Sequence, residues 1–266
     1  MLNVTISDQI ATVTLQRPEK HNAFDDKLIE LLTKAFESIE AESSVRVMVL
    51  AAQGKNFSAG GDLAWMKRMA DYSFDENLAD ANKLSNMLNT LNNMSIPTIA
   101  RVQGAAYGGA VGLVSCCDLA IGSENARFCL SEVKVGIIPA TISPFVIAAI
   151  GSRQARRYFL TAELFNAEKA KSMGLLNEVC PSSELDSTIN QLIKTLMQNG
   201  PQAIMQAKQI ILDYANQPIS LTLLNDSSER IARIRKSKEG QEGLSAFLEK
   251  RKPNWTQQKN TETSDV

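Results

Sequence analysis

Gly104-Ala-Ala-Tyr-Gly108-Gly109-Ala-Val-Gly112-Leu-Val-Ser-Cys-Cys-Asp118, followed by Leu-Ala-Ile and then Phe128-Cys-Leu-Ser-Glu132-Val-Lys-Val-Gly136-Ile-Ile-Pro139, is the stretch on which the fold turns. Four glycines fall within nine residues, at 104, 108, 109 and 112. Each costs roughly 1 kcal/mol against alanine in a helix, so helix propensity does not explain them. Glycine serves where backbone takes an unusual dihedral or approaches something closely. Pro97-Thr-Ile-Ala-Arg-Val102, just before, is β-branched and strand-like, and Gly109 to Cys117 is small and apolar enough for a buried helix. Strand, glycine turn and buried helix leave unpaired N–H groups at a helix N-terminus, where partial positive charge collects. An anion-stabilising pocket is expected there. Glu132, set between Leu130 and Val133, is the first candidate for chemistry.

The chain reads outward from that stretch in both directions. Leu2 to Leu15 alternates around Asp8-Gln9 and predicts a hairpin. Leu28, Leu32, Ala35, Phe36 and Ile39 recur at helical spacing, and Val45 to Ala51 is a strand apolar on both faces. Phe57-Ser-Ala-Gly60-Gly61-Asp62 is a second glycine turn after a strand, with a helix expected from Leu63 to Met69. Ser73-Phe-Asp-Glu76 is a capping box. An apolar helix is expected at 144–150, a helix with charge on one side at 152–160, a capped helix at 167–173 and a strand at 175–179. Beyond Cys180-Pro181 only helices are expected, at 185–196, 202–214, 221–236 and 239–251. This divides the chain into a strand–helix core carrying the site, 1–195, a helical region, 196–255, and a disordered polar tail, 256–266. Short strand–turn–strand–helix units favour a spiral over one doubly wound sheet.

Composition narrows the function. Hydrophobic residues make up 44% and charged residues 21%, with formal net charge -1, so a nucleic-acid or anionic-membrane surface is not expected. One histidine argues against most histidine-rich metal sites. Cys116, Cys117, Cys129 and Cys180 lack C-x-x-C spacing and suit reduced core thiols. With no membrane-length apolar run and no leader-like segment before the first strand, a cytoplasmic location is expected.

Two glycine turns, ending at Gly61 and Gly109, could aim their N–H groups at one oxygen, the arrangement acyl chemistry uses for an enolate or tetrahedral oxyanion. The alternative is that these glycines merely let helix and sheet pack closely. Neither turn matches a dinucleotide or phosphate-binding fingerprint. Asp62 is expected to cap its helix, and Asp118 to bond backbone. Glu132 sits on an apolar segment without an ion partner nearby in sequence. Burial would raise its pKa toward the range useful for proton transfer, while a buried salt bridge is the competing reading. Lys208, Lys250 and Arg251 read as solvated charges.

Taken together, Arg17-Pro18-Glu-Lys20-His21-Asn22-Ala23, Phe57-Ser-Ala-Gly60-Gly61-Asp62-Leu, Gln103-Gly104-Ala-Ala-Tyr-Gly108-Gly109, Cys117-Asp118-Leu-Ala-Ile, Glu132-Val-Lys-Val-Gly136-Ile-Ile-Pro139 and Phe247-Leu-Glu-Lys250-Arg251-Lys-Pro253 resemble the crotonase superfamily, the enoyl-CoA hydratases and isomerases. The resemblance implies an α/β fold, a spiral of ββα units with a C-terminal helical trimerisation region. It implies an oxyanion hole from the N–H groups of Gly61 and Gly109, with Glu132 catalytic. Lys20, Ala23, Phe57 and Ala59 would line the nucleotide end of CoA, with Gly112 in the substrate site and Lys250 also binding CoA. No separate cofactor or metal is implied, since CoA belongs to the substrate; a homotrimer or dimer of trimers is. Hydratases of the family usually carry two glutamates, and the upstream one corresponds to Gly112. One carboxylate suffices for an isomerase, and also for syn hydration. Asp62-Leu-Ala-Trp65-Met-Lys-Arg and Phe128 to Pro144 are most similar to bacterial methylglutaconyl-CoA hydratases of leucine breakdown. A non-catalytic scaffold or RNA-binding member is the alternative of another class.

Overall fold

The computed structural model describes residues 1–256. In chain order its elements are β1 (Leu2–Ser7), β2 (Ile10–Leu15), α1 (Asp26–Ala41), β3 (Val47–Ala52), α2 (Leu63–Met69), α3 (Phe74–Asn92), β4 (Thr98–Val102), β5 (Ala105–Tyr107), α4 (Gly109–Cys116), β6 (Leu119–Ser123) and β7 (Arg127–Cys129). There follow α5 (Ser143–Thr161), β8 (Phe165–Asn166), α6 (Ala167–Met173), β9 (Glu178–Cys180), α7 (Leu185–Met197), α8 (Pro201–Tyr214), α9 (Leu221–Lys236) and α10 (Lys238–Leu248). The chain divides into two units, Met1–Asn190 and Gln191–Val266.

In the first unit, six strands run in the order β1-β2-β3-β4-β6-β9, and three form a second sheet, β5-β7-β8. The hairpin pairs Leu2 with Leu15 and Ser7 with Ile10; its turn residues Asp8 and Gln9 take φ of 51° and 67°. Two positive φ values are what a two-residue turn needs to match strand twist. All six residues of β3 are buried, because it lies between parallel β2 and β4. α1 turns Leu28, Ile29, Leu32, Ala35, Phe36 and Ile39 inward, starting at Asp25, whose side chain accepts from Leu28 N–H at 2.8 Å. Burying each larger side chain of that stripe contributes about 1.5–3 kcal/mol. The expected capping box at Ser73 and Glu76 is present.

Some elements depart from the sequence reading. Gly104 to Gly109 is not one turn, because Ala105–Tyr107 forms a short strand paired in parallel with β7. The second sheet escaped sequence pattern because its strands are only two or three residues long. The strand expected at 175–179 is β9, Glu178–Cys180. α6 ends at Gly174 with φ 89°, and Leu176 is spent on packing: a Cβ on Gly122 would lie 2.5 Å from its Cδ1. The two helices expected around residue 151 are there, broken at Gly151, whose φ is 74° and ψ 155°.

The second unit is helical among its described residues. Thr256, expected to begin the disordered tail, instead ends a 3₁₀ turn, Asn254–Thr256, in which the Trp255 indole N–H donates to Gln198 C=O at 3.0 Å. The rest of the expected tail, 257–266, lies outside the described residues. Arg251 forks onto Glu242 at 2.6 and 2.8 Å; with the Asn254 N–H it pulls that carboxyl down to about 2. Lys208, expected to be solvated, is instead 7% exposed. No helix of the described residues is long and apolar enough to cross a membrane.

Candidate active site

The loop after β2 folds around Asn22. Its Oδ1 accepts from Arg17 N–H at 2.8 Å, and its Nδ2 donates to the carbonyls of Gln53 and Asn56 at 2.9 and 3.0 Å. His21 and Asn22 both take positive φ, 51° and 53°, so the chain reverses without glycine. Ala23 N–H closes onto Lys20 C=O, and Ala59 N–H donates to His21 C=O, both at 3.0 Å. Lys20, Ala23 and Ala59 are thereby gathered in one patch, with Phe57 fully buried close by in sequence. Asn56 ties this patch to the central stretch: its Oδ1 accepts from Ala105 N–H at 3.2 Å.

Two parallel rungs bring the glycine turns together. Ser58 bridges Ala106: Ser58 N–H donates to Ala105 C=O at 3.0 Å, and Tyr107 N–H donates to Ser58 C=O at 2.9 Å. Gly61 and Gly109 each lie three residues beyond that rung on chains running the same way. Phe24 bridges Gly61 on its other side, through Phe24 N–H to Gly60 C=O at 2.8 Å and Asp62 N–H to Phe24 C=O at 2.6 Å. In a parallel pair the residue flanked by both bonds points its own N–H away from the partner. The Phe24 ring also reaches Gly109, where an added Cβ would lie 3.6 Å from its Cε2. Gly109 is the first residue of α4, so its N–H is among those a helix leaves unpaired.

Glu132 enters from the end of β7. Gly108 N–H donates to Cys129 C=O at 2.9 Å, and a Cβ on Gly108 would fall 3.2 Å from Glu132 Oε1. Gly108 has φ 54°, so a side chain there would be strained as well as crowded. Glu132 Oε2 is buried and has no hydrogen-bond partner among the described residues. Burial therefore pushes this carboxyl up, against the opposing effect of its own backbone N–H. A carboxyl whose pKa is raised can carry hydrogen to and from a carbon next to a polarised carbonyl.

Asp62 acts as a cap. Its Oδ1 accepts from Ala64 and Trp65 N–H at 2.9 and 3.3 Å, and its Oδ2 meets Lys20 Nζ at 3.0 Å and Arg17 Nη2 at 3.2 Å. The hydrogen bond from Lys20 is the foremost cause that holds this carboxyl low, against the opposing effect of burial. Asp118 likewise bonds backbone, taking Thr98 N–H at 2.7 Å. Gly112 is buried and faces side chains rather than open space: a Cβ there would meet Ile142 Cγ2 at 2.5 Å and Leu88 Cδ2 at 3.4 Å. Lys250 belongs to the second unit, where it is exposed with φ 55°. Arg17, Phe24, Asn22, Asn56 and Ile142 were not singled out from sequence. Asn22, Phe24 and Asn56 act through backbone groups far along the chain, and no local spacing announces that.

A family model described as Enoyl-CoA hydratase/isomerase matches residues 5–258. The fold is similar to that of an enoyl-CoA hydratase from Shewanella pealeana, with TM-score 0.93 and 46% identity, covering 96% of this chain and 95% of that one. The 2,3-dehydroadipyl-CoA hydratase of Escherichia coli K12 is 30% identical over 257 residues, 96% of this chain and 98% of its own length. The trans-2-decenoyl-[acyl-carrier-protein] isomerase of Streptococcus mutans is 28% identical over 257 residues, 94% of this chain and 96% of its own length.

Proposed function

Because this chain belongs to the enoyl-CoA hydratase/isomerase family of the crotonase superfamily, we propose that it adds water across the 2,3 double bond of an acyl-CoA thioester. The thioester oxygen accepts from the N–H groups of Gly61 and Gly109, which draws electron density from the conjugated double bond and leaves C3 electrophilic. Glu132 takes a proton from water as the oxygen attacks C3, then returns a proton to C2 on the same face. The observation that carries this reading is the Glu132 carboxyl, whose Oε1 faces Gly108 while its Oε2 is buried without a hydrogen-bond partner among the described residues. Lys20, Ala23, Phe57 and Ala59 would meet the nucleotide end of CoA, with Lys250 a further contact to it. No separate cofactor or metal is part of the proposal.

At the finer level, the similarity around Trp65 and from Phe128 to Pro144 supports 3-methylglutaconyl-CoA as substrate and a role in leucine breakdown. We also propose a cytoplasmic homotrimer or dimer of trimers with no nucleic-acid partner. Exposed Val135, Ile137 and Ile138, at 61%, 51% and 72%, are apolar surface that association would cover.

One observation favours a second reading, enoyl-CoA isomerase. Ile142 and Leu88 line Gly112, so Glu132 stands without a second acid there. An isomerase needs only one carboxylate to move a proton from C2 to C4. Incubation with 2-enoyl-CoA and with 3-enoyl-CoA separates the two. Loss of the conjugated absorbance with a 3-hydroxy product supports hydration; growth of that absorbance from the 3-enoyl substrate alone would replace it with isomerisation.

A further inference from the structure

Gly108 is the cap residue of α4 and Gly112 lies four residues on, within the helix. Gly108 meets the carboxyl of Glu132, and Gly112 meets Ile142. Acid and isoleucine are delivered by a single segment, since Ile142 is the cap residue from which α5 starts. A Cβ at 112 would lie 2.5 Å from Ile142 Cγ2 and 3.0 Å from Ile142 Cβ. These are the branch atoms of a β-branched side chain, stiff at χ1, rather than the far end of a flexible one. Ile142 is 1% exposed and Leu88 is fully buried, so neither has solvent to move into.

We infer that Ile142 is a specificity-determining residue: its branch closes the space beside Gly112, holding α4 bare and apolar there and the site to one carboxylate. The inference rests on the enoyl-CoA reading above. Gly112 and Ile142 are a matched pair, so a side chain at 112 requires a smaller residue at 142.

The full chain is tested as Gly112→Glu, Ile142→Ala and the double variant, reading thermal midpoints and kcat/KM on 2-enoyl-CoA and 3-enoyl-CoA. Gly112→Glu alone is expected to melt well below the parent protein. Adding Ile142→Ala is expected to recover most of that loss, because residues in contact do not act additively. The double variant is expected to raise the ratio of hydration to isomerisation at least about tenfold over Ile142→Ala, with an added basic limb in the pH profile from the second acid. Equal midpoints for Gly112→Glu and the parent would overturn the inference, as would a double variant with the ratio and pH profile of Ile142→Ala. If the double variant does not fold, Ile142→Ala is read alone. Its preference between straight and 3-methyl-branched 2-enoyl-CoA is expected to shift about tenfold, and an unchanged preference overturns the role. Lack of turnover by the parent protein on every enoyl-CoA would instead overturn the functional reading, while the melting coupling between 112 and 142 is still measured.

Discussion

Arg17 Nη2 lies 3.2 Å from Asp62 Oδ2, joining the loop after β2 to the cap of the helix that follows Gly61. Arg17 also holds Asp25 at 2.6 Å, so one guanidinium binds the caps of two helices, α1 and α2. Both the arginine and Asp62 are 7% exposed, and a charge buried to that degree is retained only when paired.

Asp62→Asn should therefore lower the thermal midpoint while leaving the secondary structure intact. The ion pairs with Arg17 and Lys20 are lost, while an amide still accepts from the helix N–H groups. Asp62→Ala removes the cap as well, costing about 1–2 kcal/mol more. Because the folded pKa of Asp62 is depressed, its contribution is present above the unfolded value of about 3.9 and is lost as pH falls through the folded one. Melting curves from pH 7 to pH 3 should show the deficit of Asp62→Asn narrowing as the solution is acidified. A deficit that does not vary with pH would remove the ion pair from the account.

Glu132→Gln should cut turnover about 10²–10⁴-fold without unfolding the protein. Stability should move the other way. The folded pKa of Glu132 is raised, so the carboxyl costs nothing below its unfolded value of about 4.3 and destabilises the fold as pH rises through the folded value. The glutamine variant should thus melt higher than the parent at pH 7 and level with it near pH 4. The acid limb of kcat/KM in the parent should fall above the ordinary carboxylate range. Near-normal turnover of the variant would exclude Glu132 from proton transfer.

Gly109→Pro tests the main-chain donor. Proline is tolerated at the first helical position; it removes the N–H and sets its ring Cδ in the hydrogen's place, and an added Cβ at 109 would sit in ordinary contact with Phe24 at 3.6 Å. Loss of one oxyanion donor costs about 10²–10³ in kcat. Circular dichroism should remain that of the parent while kcat falls by this amount. A folded variant with unchanged kcat would show that this amide does not meet the substrate.

Gly108→Ala probes the same corner from the other side. Its Cβ would press on Glu132 Oε1 at 3.2 Å from a residue with φ 54°, combining strain of about 1–3 kcal/mol with displacement of the acid. A lower midpoint together with a loss of kcat larger than any rise in KM is expected from steady-state kinetics.

Period and punctuation in the sequence were enough for the hairpin around Asp8-Gln9, the inward stripe of α1, the buried β3, the capping box at Ser73 and the break at Gly151. These features are legible because each depends on residues within a few positions of one another. The upward pKa shift of Glu132 was legible from its place on an apolar segment, whereas the approach of its carboxyl to Gly108, 24 positions earlier, was not. The β5-β7-β8 sheet was not, because strands of two or three residues owe their existence to partners 22 to 39 positions away.

Local chemistry by itself determined that two glycine turns each open a helix and that a lone acid follows them. Tertiary structure decided that the turns run side by side, through the Ser58–Ala106 and Phe24–Gly61 rungs, and that the acid lands against Gly108. It also decided that Ile142, not open space, faces Gly112. Dihedral preferences and hydrophobic period act along the chain, whereas backbone pairing and steric exclusion act between segments that only folding brings together.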